Sequence, residues 1–303
     1  MNYYIAIPTY NGGNIWKAAV ENIQKYAPEN LLVHIIDSSS LDETASIARD
    51  AGFDVITISG EDFNHGGTRN LAVEKFSDVY DIVIFLTQDA IPQPGFIEKI
   101  IEVFKDDKIA CAYGRQLPHD DANPIAIHAR YFNYPDISYS YGYESIKEMG
   151  LKTVFMSNSF SAYRLSTFRE VGGFPCDTIL CEDMYYTAKV VQTNHKVAYV
   201  SDAIVKHSHN YTPLEEFKRY FDIGVFHTNE QWIRNTFGGA GGEGKKFIIS
   251  ELKFLLKNGP LWIPVAFINN SMKILGYKLG QNYKYLPNAI VKKCSMHKRY
   301  WRF

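Results

Sequence analysis

Five short runs of β-branched, aromatic and aliphatic residues, at positions 3–7, 31–36, 55–58, 82–86 and 109–113, are separated by stretches with helical spacing. This alternation predicts strands of a doubly wound sheet with helices on its faces. A strand buried on both faces reads as an unbroken apolar run, and Ile82-Val83-Ile84-Phe85-Leu86 is the clearest example. It stops at Thr87-Gln88-Asp89-Ala90, which puts a carboxylate at the strand mouth, where open α/β sheets bind their ligands. Between the runs, Ile15, Ala18, Ala19 and Ile23 have helical spacing. Ser40 and Glu43 form a capping-box pattern ahead of Ala45, Ile47 and Ala48, and Gly95 precedes Phe96, Ile97, Ile100, Ile101 and Phe104. Residues 115–150 read as a loop-rich stretch with many tyrosines, and regular structure resumes near Thr153.

With 303 residues, 46% hydrophobic and 21% charged, the chain has the composition of a globular enzyme. Cys111, Cys176, Cys181 and Cys294 form no C-x-x-C pair and no small secreted framework, so neither structural zinc nor disulfides are expected. No basic and apolar leader precedes the first run, and a cytoplasmic protein is the expectation.

Acids and imidazoles recur at two further places. Glu182-Asp183 follows a loop and opens a helix, and His207-Ser208-His209 closes a β-rich run. A divalent ion accepts carboxylate oxygen and neutral imidazole nitrogen, so Asp89 with one of the two histidines would hold it against a diphosphate, leaving Asp183 as a base. The turn after the first run, Pro8-Thr9-Tyr10-Asn11-Gly12-Gly13, lacks G-x-G-x-x-G, and no Walker pattern occurs, which excludes a Rossmann dehydrogenase and a P-loop enzyme. The second run ends at Asp37-Ser38-Ser39-Ser40, with Asp42 close behind. A carboxylate there can accept the imide N–H of uracil or thymine while Tyr10 stacks on the base, or it can be an ordinary turn acid. In residues 63–70, Gly66 and Gly67 let backbone approach a ligand, and Arg69 in the following first helical turn can pair with phosphate.

Pro8-Thr9-Tyr10-Asn11, Asp37-Ser38-Ser39-Ser40 with Asp42 and Thr44, Thr87-Gln88-Asp89-Ala90 and Glu182-Asp183 together resemble the inverting family 2 glycosyltransferases of GT-A fold, over residues 1 to about 210. Residues 63–70 resemble, within that family, the bacterial rhamnosyltransferases that build cell-surface polysaccharides from dTDP-L-rhamnose. The resemblance implies an α/β fold, a GT-A Rossmann-like mixed sheet with a C-terminal helical extension. Residues 1–210 would be catalytic, with a nucleotide-sugar half to about 115 and an acceptor half beyond it, and 211–303 a basic amphipathic helical region. It implies donor contacts from Pro8, Thr9, Tyr10, Asn11, Asp37, Ser39, Asp42, His65, Gly66, Arg69 and Gln88. Tyr10 and Asp37 would meet the base, Arg69 the diphosphate and Gln88 the ribose. It further implies Mg²⁺ or Mn²⁺ on Asp89 and His207, with His209 as the fallback, Asp183 as the base, and Asn158, Ser159 and Glu182 toward the acceptor. The family's D-x-D or D-D motif is reduced here to Thr87-Gln88-Asp89, so one acid must serve. A UDP-hexose or UDP-N-acetylhexosamine donor is the alternative, and a non-catalytic sugar-nucleotide-binding subunit is the reading from another class.

Residues 245–303 carry twelve Lys/Arg and one acid, against 20 Lys/Arg and 32 Asp/Glu in residues 1–244. Phe247, Ile248, Leu252, Leu255 and Leu256 alternate with Lys245, Lys246, Lys253 and Lys257 beyond a flexible break at 238–244. That pattern predicts a tail lying on an anionic membrane at the inner face of the cell, suited to a lipid-linked glycan acceptor. A structural cap or a homo-oligomer contact is the alternative. Nucleic acid is not the expected partner, since the charge is interleaved with Leu, Ile and Trp. A chain cut after Gly244 would be expected to keep nucleotide binding.

Overall fold

The structure, a computed structural model, describes residues 1–239 and 242–302, so part of the glycine-rich break lies outside the described residues. The strands are β1 (Tyr3–Thr9), β2 (Val33–Asp37), β3 (Asp54–Thr57), β4 (Ile82–Leu86), β5 (Ile91–Pro92), β6 (Ile109–Leu117), β7 (Tyr139–Tyr141), β8 (Phe160–Arg164) and β9 (Lys196–Lys206). They form one mixed sheet in the order β3-β2-β1-β4-β8-β6-β9-β5, with β7 added on β9. The helices are α1 (Gly13–Tyr26), α2 (Thr44–Asp50), α3 (His65–Glu74), α4 (Phe96–Glu102), α5 (Pro124–Asn133), α6 (Ile146–Met149), α7 (Leu165–Val171), α8 (Glu182–Gln192), α9 (Pro213–Asn229), α10 (Gln231–Phe237), α11 (Glu243–Asn258), α12 (Ile263–Gln281) and α13 (Asn288–Cys294).

Alternate residues of each central strand serve opposite faces. Tyr4, Ala6, Val83 and Phe85 join a core with Tyr186 and Val190 of α8 and Phe221 and Val225 of α9. Ile5, Ile7, Ile82, Ile84 and Leu86 join a second core with Trp16 and Val20 of α1 and Phe96 and Ile100 of α4. Both faces of the sheet are therefore dry, which is why the runs are continuous rather than alternating. The α1 seam is Trp16, Ala19, Val20 and Ile23, rotated from the expected stripe because Trp16 reaches across to donate its indole N–H to the Thr44 carbonyl at 2.9 Å. The expected capping box is absent. Ser40 Oγ donates to Asp37 instead, and α2 begins at Thr44 without a side-chain cap.

The expected loop at 115–150 contains more regular structure than its composition suggests. β6 continues to Leu117, Asn123 caps α5 by accepting from Ala126 N–H at 2.9 Å, and β7 pairs with β9. Most of its tyrosines cover the sheet. Tyr141 is buried with its hydroxyl on the Phe155 carbonyl at 2.7 Å, and Tyr139 packs 5.1 Å from the Tyr199 ring.

Two pairings bring distant chemistry to one sheet end. Antiparallel β5 and β9 align Ile91 with Lys206, so Asp89, two residues before Ile91, lies across from the residues that follow Lys206. Antiparallel β4 and β8 align Leu86 with Phe160, which sets Asn158 and Ser159 beside Thr87. Beyond the sheet, α12 lies against α9 with backbone in near contact. A Cβ on Gly276 would stand 2.2 Å from the Phe217 carbonyl oxygen, and one on Gly280 2.0 Å from that of Phe221. Only glycine allows this approach.

Gly280→Val should therefore force α12 off α9 and cost about 1–3 kcal/mol. Calorimetry should show a Tm lowered by several degrees, whereas Gly244→Ala, where nothing lies within 4 Å of the added carbon, should leave Tm unchanged.

Candidate active site

A cavity of about 720 Å³ is lined by Pro8, Thr9 and Tyr10 after and within β1, by Gln88 and Asp89 after β4, and by His65 and Arg69 of α3. Asn158 and Ser159 before β8, Glu182 and Asp183 of α8, and His207 and His209 after β9 complete the sequence-predicted group. Asn11, Asp37, Ser39, Asp42 and Gly66, expected at the donor, are not in its wall. Asp37 is 1% exposed and turned into the protein, where its carboxylate accepts from Thr9 Oγ1 at 3.0 Å, from Ser40 Oγ, and from Ser40 N–H at 2.9 Å. Asn11 bonds Leu41 N–H, and Ser39 bonds the Ile58 carbonyl. Asp42 accepts from Thr44 and from Gly13 N–H. These four tie the loops that follow β1 and β2 to each other and to the end of β3. Gly66 has no room for a side chain, since a Cβ there would stand 1.9 Å from the Pro175 carbonyl oxygen.

Gln88, expected at the ribose, grips the backbone of Tyr10 at both ends. Its Oε1 accepts from Tyr10 N–H at 2.8 Å and its Nε2 donates to the Tyr10 carbonyl at 3.0 Å. A carboxylate could not make the second bond, which gives the amide in this shortened motif a structural use.

Arg69, expected to be free for a diphosphate, is paired with Glu182 at 3.1 Å, and both side chains are nearly out of water. Arg69 Nη1 also donates to the His65 carbonyl at 2.9 Å. Glu182 and Asn158, expected at the acceptor, are likewise committed inward. Asn158 Nδ2 donates to Glu182 at 2.9 Å, and Asn158 Oδ1 accepts from Ser161 Oγ and Tyr163 OH. Asn158 N–H and Met184 N–H donate to Asp183 at 3.2 and 2.8 Å. The helix that carries both acids starts from Cys181, a non-glycine residue held at φ 60°, which turns the chain sharply at the cavity. Burial, reinforced by the Glu182 charge next door, pushes the Asp183 carboxyl up to about 7. Burial also works against the Glu182 carboxylate, yet Arg69, His65 and Asn158 hold its pKa below the ordinary value. Two adjacent carboxyls have thus been driven apart, one kept ionised and one poised near neutrality.

Asp89, His207 and His209 present ligand atoms that all lie within 4.8 Å of one another. His207 Nε2 is 3.3 Å and His209 Nε2 3.6 Å from Asp89 Oδ2. The histidines, alternatives in the sequence, are brought to the same carboxylate. Burial opposes ionisation of Asp89, but His207, His209 and the Thr87 hydroxyl together pull its pKa well below the usual range. Burial, then the neighbouring His207, lowers His209 to about 4, which leaves a neutral ring at physiological pH. Behind them sits Gln116, a residue of β6 that carried no signal in the sequence. Arg130 Nη1 can only donate, and it meets Gln116 Oε1 at 2.6 Å, so that oxygen also receives His207 Nδ1 at 2.8 Å. His207 therefore carries a proton on Nδ1, and Nε2 is the nitrogen turned toward Asp89, the orientation of a metal-ligating histidine. One carboxylate and two imidazoles are a donor set that fits a divalent transition ion.

Other lining residues carried no motif: Arg130 from α5 and Tyr134 just after it, Glu216, Arg219 and Tyr220 from α9, Phe247 from α11, Asn269 and Lys273 from α12, and Met296 and His297. Of the tyrosines at 131–143, only Tyr134 reaches this wall. Arg219 lies 5.9 Å over both the Tyr211 and Tyr220 rings, and no carboxylate stands within ion-pair distance of it among the described residues. A chain cut after Gly244 would lose five of these residues, from Phe247 to His297, so the tail is not dispensable to the cavity.

Comparison with known proteins accords with this arrangement. Residues 4–172 match the family model "Glycosyl transferase family 2". The chain is 52% identical over 305 residues to the O-antigen chain rhamnosyltransferase RfbN of Salmonella typhimurium, covering 99% of this chain and 96% of that protein. It is 50% identical over 302 residues to the O-antigen chain rhamnosyltransferase WbaN of Salmonella anatum, with the same coverage. The mannosyltransferase PcManGT of Pyrobaculum calidifontis, solved with GDP-Man and Mn²⁺, shares the fold at a TM-score of 0.58 and 17% identity over 99% of this chain and 84% of that one. TarS 1–349 of S. aureus does so at 0.52 and 14%, over 94% and 92%. With a family model matching more than half of its length and a relative 52% identical over nearly all of it, the chain belongs to glycosyl transferase family 2.

Proposed function

We propose that the enzyme transfers L-rhamnose from dTDP-L-rhamnose to a hydroxyl of a growing, lipid-linked cell-surface polysaccharide, with inversion at the anomeric carbon. The observation that carries the reaction class is the meeting of Asp183 with Asp89, His207 and His209 in one cavity. The sugar rests on the identity of about half over nearly the full length with proteins named O-antigen chain rhamnosyltransferases.

Asp183, ionised, takes the proton of the acceptor hydroxyl, whose oxygen forms the new bond to the anomeric carbon. The bond from that carbon to the diphosphate breaks on the opposite face, and its electron pair leaves with dTDP. Asp89, His207 and His209 are the residues that would hold Mn²⁺ or Mg²⁺, and a bound ion would neutralise the developing charge on the diphosphate. Two imidazoles in the set favour Mn²⁺ over Mg²⁺. Arg219, a cavity guanidinium with no carboxylate within ion-pair distance among the described residues, is suited to the leaving diphosphate, while Arg69 acts through Glu182 to keep Asp183 poised. Tyr10, 42% exposed, offers its ring to the thymine, and Asp37 positions that loop.

The acceptor's lipid anchor is matched by the outer side of the tail. Ile248, Ile249, Leu252 and Leu256 of α11, Leu261 at 89% exposure, and Phe267 at 74% on α12 stand in water beside exposed Lys245, Lys246, Lys253 and Lys257. Apolar surface this dense in a charged rim suits an anionic lipid surface, where each Lys contributes about 1 kcal/mol. Among the described residues no helix is long and apolar enough to cross a membrane, so contact from one side is the mode proposed.

Three outcomes are expected. Transfer from dTDP-L-rhamnose should rise with pH and level off above about 7, because Asp183 must be ionised to accept a proton. Asp183→Asn should lose this limb and about 10²–10⁴-fold in kcat while still binding dTDP; near-normal turnover would remove Asp183 from the role. Gln116→Leu, which deprives His207 Nδ1–H of its acceptor, should weaken Mn²⁺-dependent dTDP binding by about 10–100-fold in titration calorimetry, and Asp89→Ala should abolish the dependence on metal. The full chain should co-sediment with phosphatidylglycerol vesicles and not with phosphatidylcholine, and Leu256→Asp with Leu261→Asp should release it. A dimer in gel filtration that those substitutions split, with no vesicle binding, would assign the face to self-association instead.

A further inference from the structure

The segment after α13 is anchored to α9 and to the loop between α7 and α8, and Met296 and His297 in it line the cavity. Asp222 of α9, fully buried, accepts from the backbone N–H groups of Met296 and His297 at 2.9 and 3.0 Å. Tyr300 OH donates to the Asp177 carbonyl at 3.1 Å, and the Trp301 ring is buried 5.5 Å from that of Tyr283. From these anchors His297 reaches His65, with Nδ1 3.4 Å from Nε2. Arg299, exposed to solvent, lays its guanidinium over the Tyr10 ring at 5.6 Å and donates to the Gly60 carbonyl at 2.8 Å. Gly60 adjoins the end of β2, since a Cβ on it would stand 3.2 Å from the Ser38 carbonyl oxygen. No carboxylate lies within ion-pair distance of Arg299 among the described residues.

We propose that residues 296–302 form the outer wall of the donor site and that Arg299 covers the nucleobase, which is held between its guanidinium and the Tyr10 ring. The inference rests on the donor reading above, in which a pyrimidine meets Tyr10. A guanidinium is planar and weakly hydrated, so it stacks on a π-face at little desolvation cost, and a base gripped on both faces is removed from water. One hydrogen bond, to Gly60, holds Arg299 where it is, so a shift of this side chain alone opens a slot against Tyr10. The same segment continues from the basic helices, which makes the far end of the tail part of the nucleotide site although it lies some 290 residues beyond Tyr10 in the sequence.

The test uses the full-length protein with Mn²⁺, titrated with dTDP, UDP and inorganic pyrophosphate, for the parent, Arg299→Ala and Arg299→Lys. Arg299→Ala should bind dTDP about tenfold more weakly at an unchanged Tm, and pyrophosphate, which has no base, as the parent does. Arg299→Lys keeps the charge without the plane and should recover only part of the loss. Equal dTDP affinity in Arg299→Ala and the parent overturns the proposal. So does an equal loss for dTDP and pyrophosphate, which would make Arg299 a phosphate contact. A parent that binds UDP and not dTDP refutes the donor reading alone, and the ratio of parent to Arg299→Ala for UDP then decides the role of Arg299. A parent that binds neither nucleotide sinks both.

Discussion

Two carboxyl groups in succession at the buried start of one helix cannot both be ionised cheaply, and Arg69 decides between them. Its pairing with Glu182 at 3.1 Å keeps that acid ionised, and burial together with the Glu182 charge pushes Asp183 up to about 7. The pairing also sets geometry. It ties α3 to α8, while Asn158 bridges both acids from the entry to β8, so three segments are held in register by a polar cluster that water barely reaches. Removing one member would leave an uncompensated buried charge, a far larger penalty than the pair's net contribution to stability. The same cluster that orders the interior therefore tunes the group proposed as the base.

The metal-binding candidates depend on strand register rather than on charge. Because β5 returns antiparallel to β9, a two-residue strand is enough to bring Asp89 to His207 and His209. Gln116 then resolves what the ring chemistry leaves open. Its oxygen is claimed by a guanidinium, so the imidazole facing it must donate, and the opposite nitrogen is the one turned toward Asp89. Gln88, within the shortened motif, holds the backbone of Tyr10 in place. A single carboxylate with two imidazoles is left at this end of the sheet.

The tail works on two sides. Its inner side supplies Phe247, Asn269, Lys273, Met296 and His297 to the cavity, and glycines at the α9–α12 crossing let backbone meet backbone there. Its outer side leaves Ile248, Leu252, Leu256 and Phe267 in water among lysines. On the proposed function, a lipid-linked acceptor approaching from a membrane would arrive at the wall of the site itself.

The sequence by itself determined the sheet's central strands, because burial on both faces writes an unbroken apolar run such as residues 82–86. It also determined which acids and imidazoles stand at strand ends and helix starts, because those positions are marked by the change from apolar run to turn. It did not reveal α5 or the extension of β6, whose stability comes from packing against α11 and β9 rather than from local periodicity. Nor did it show that Asp37, Asn158 and Arg69 face inward, since a polar side chain at a turn has the same one-letter signature whether it meets a ligand or a neighbour. That both histidines reach Asp89, which of the two adjacent acids is kept ionised and that Arg299 stacks on Tyr10 were decided only by the tertiary structure. Each is a contact between residues far apart in the chain, and its energy depends on distance and desolvation, which no spacing along the chain encodes.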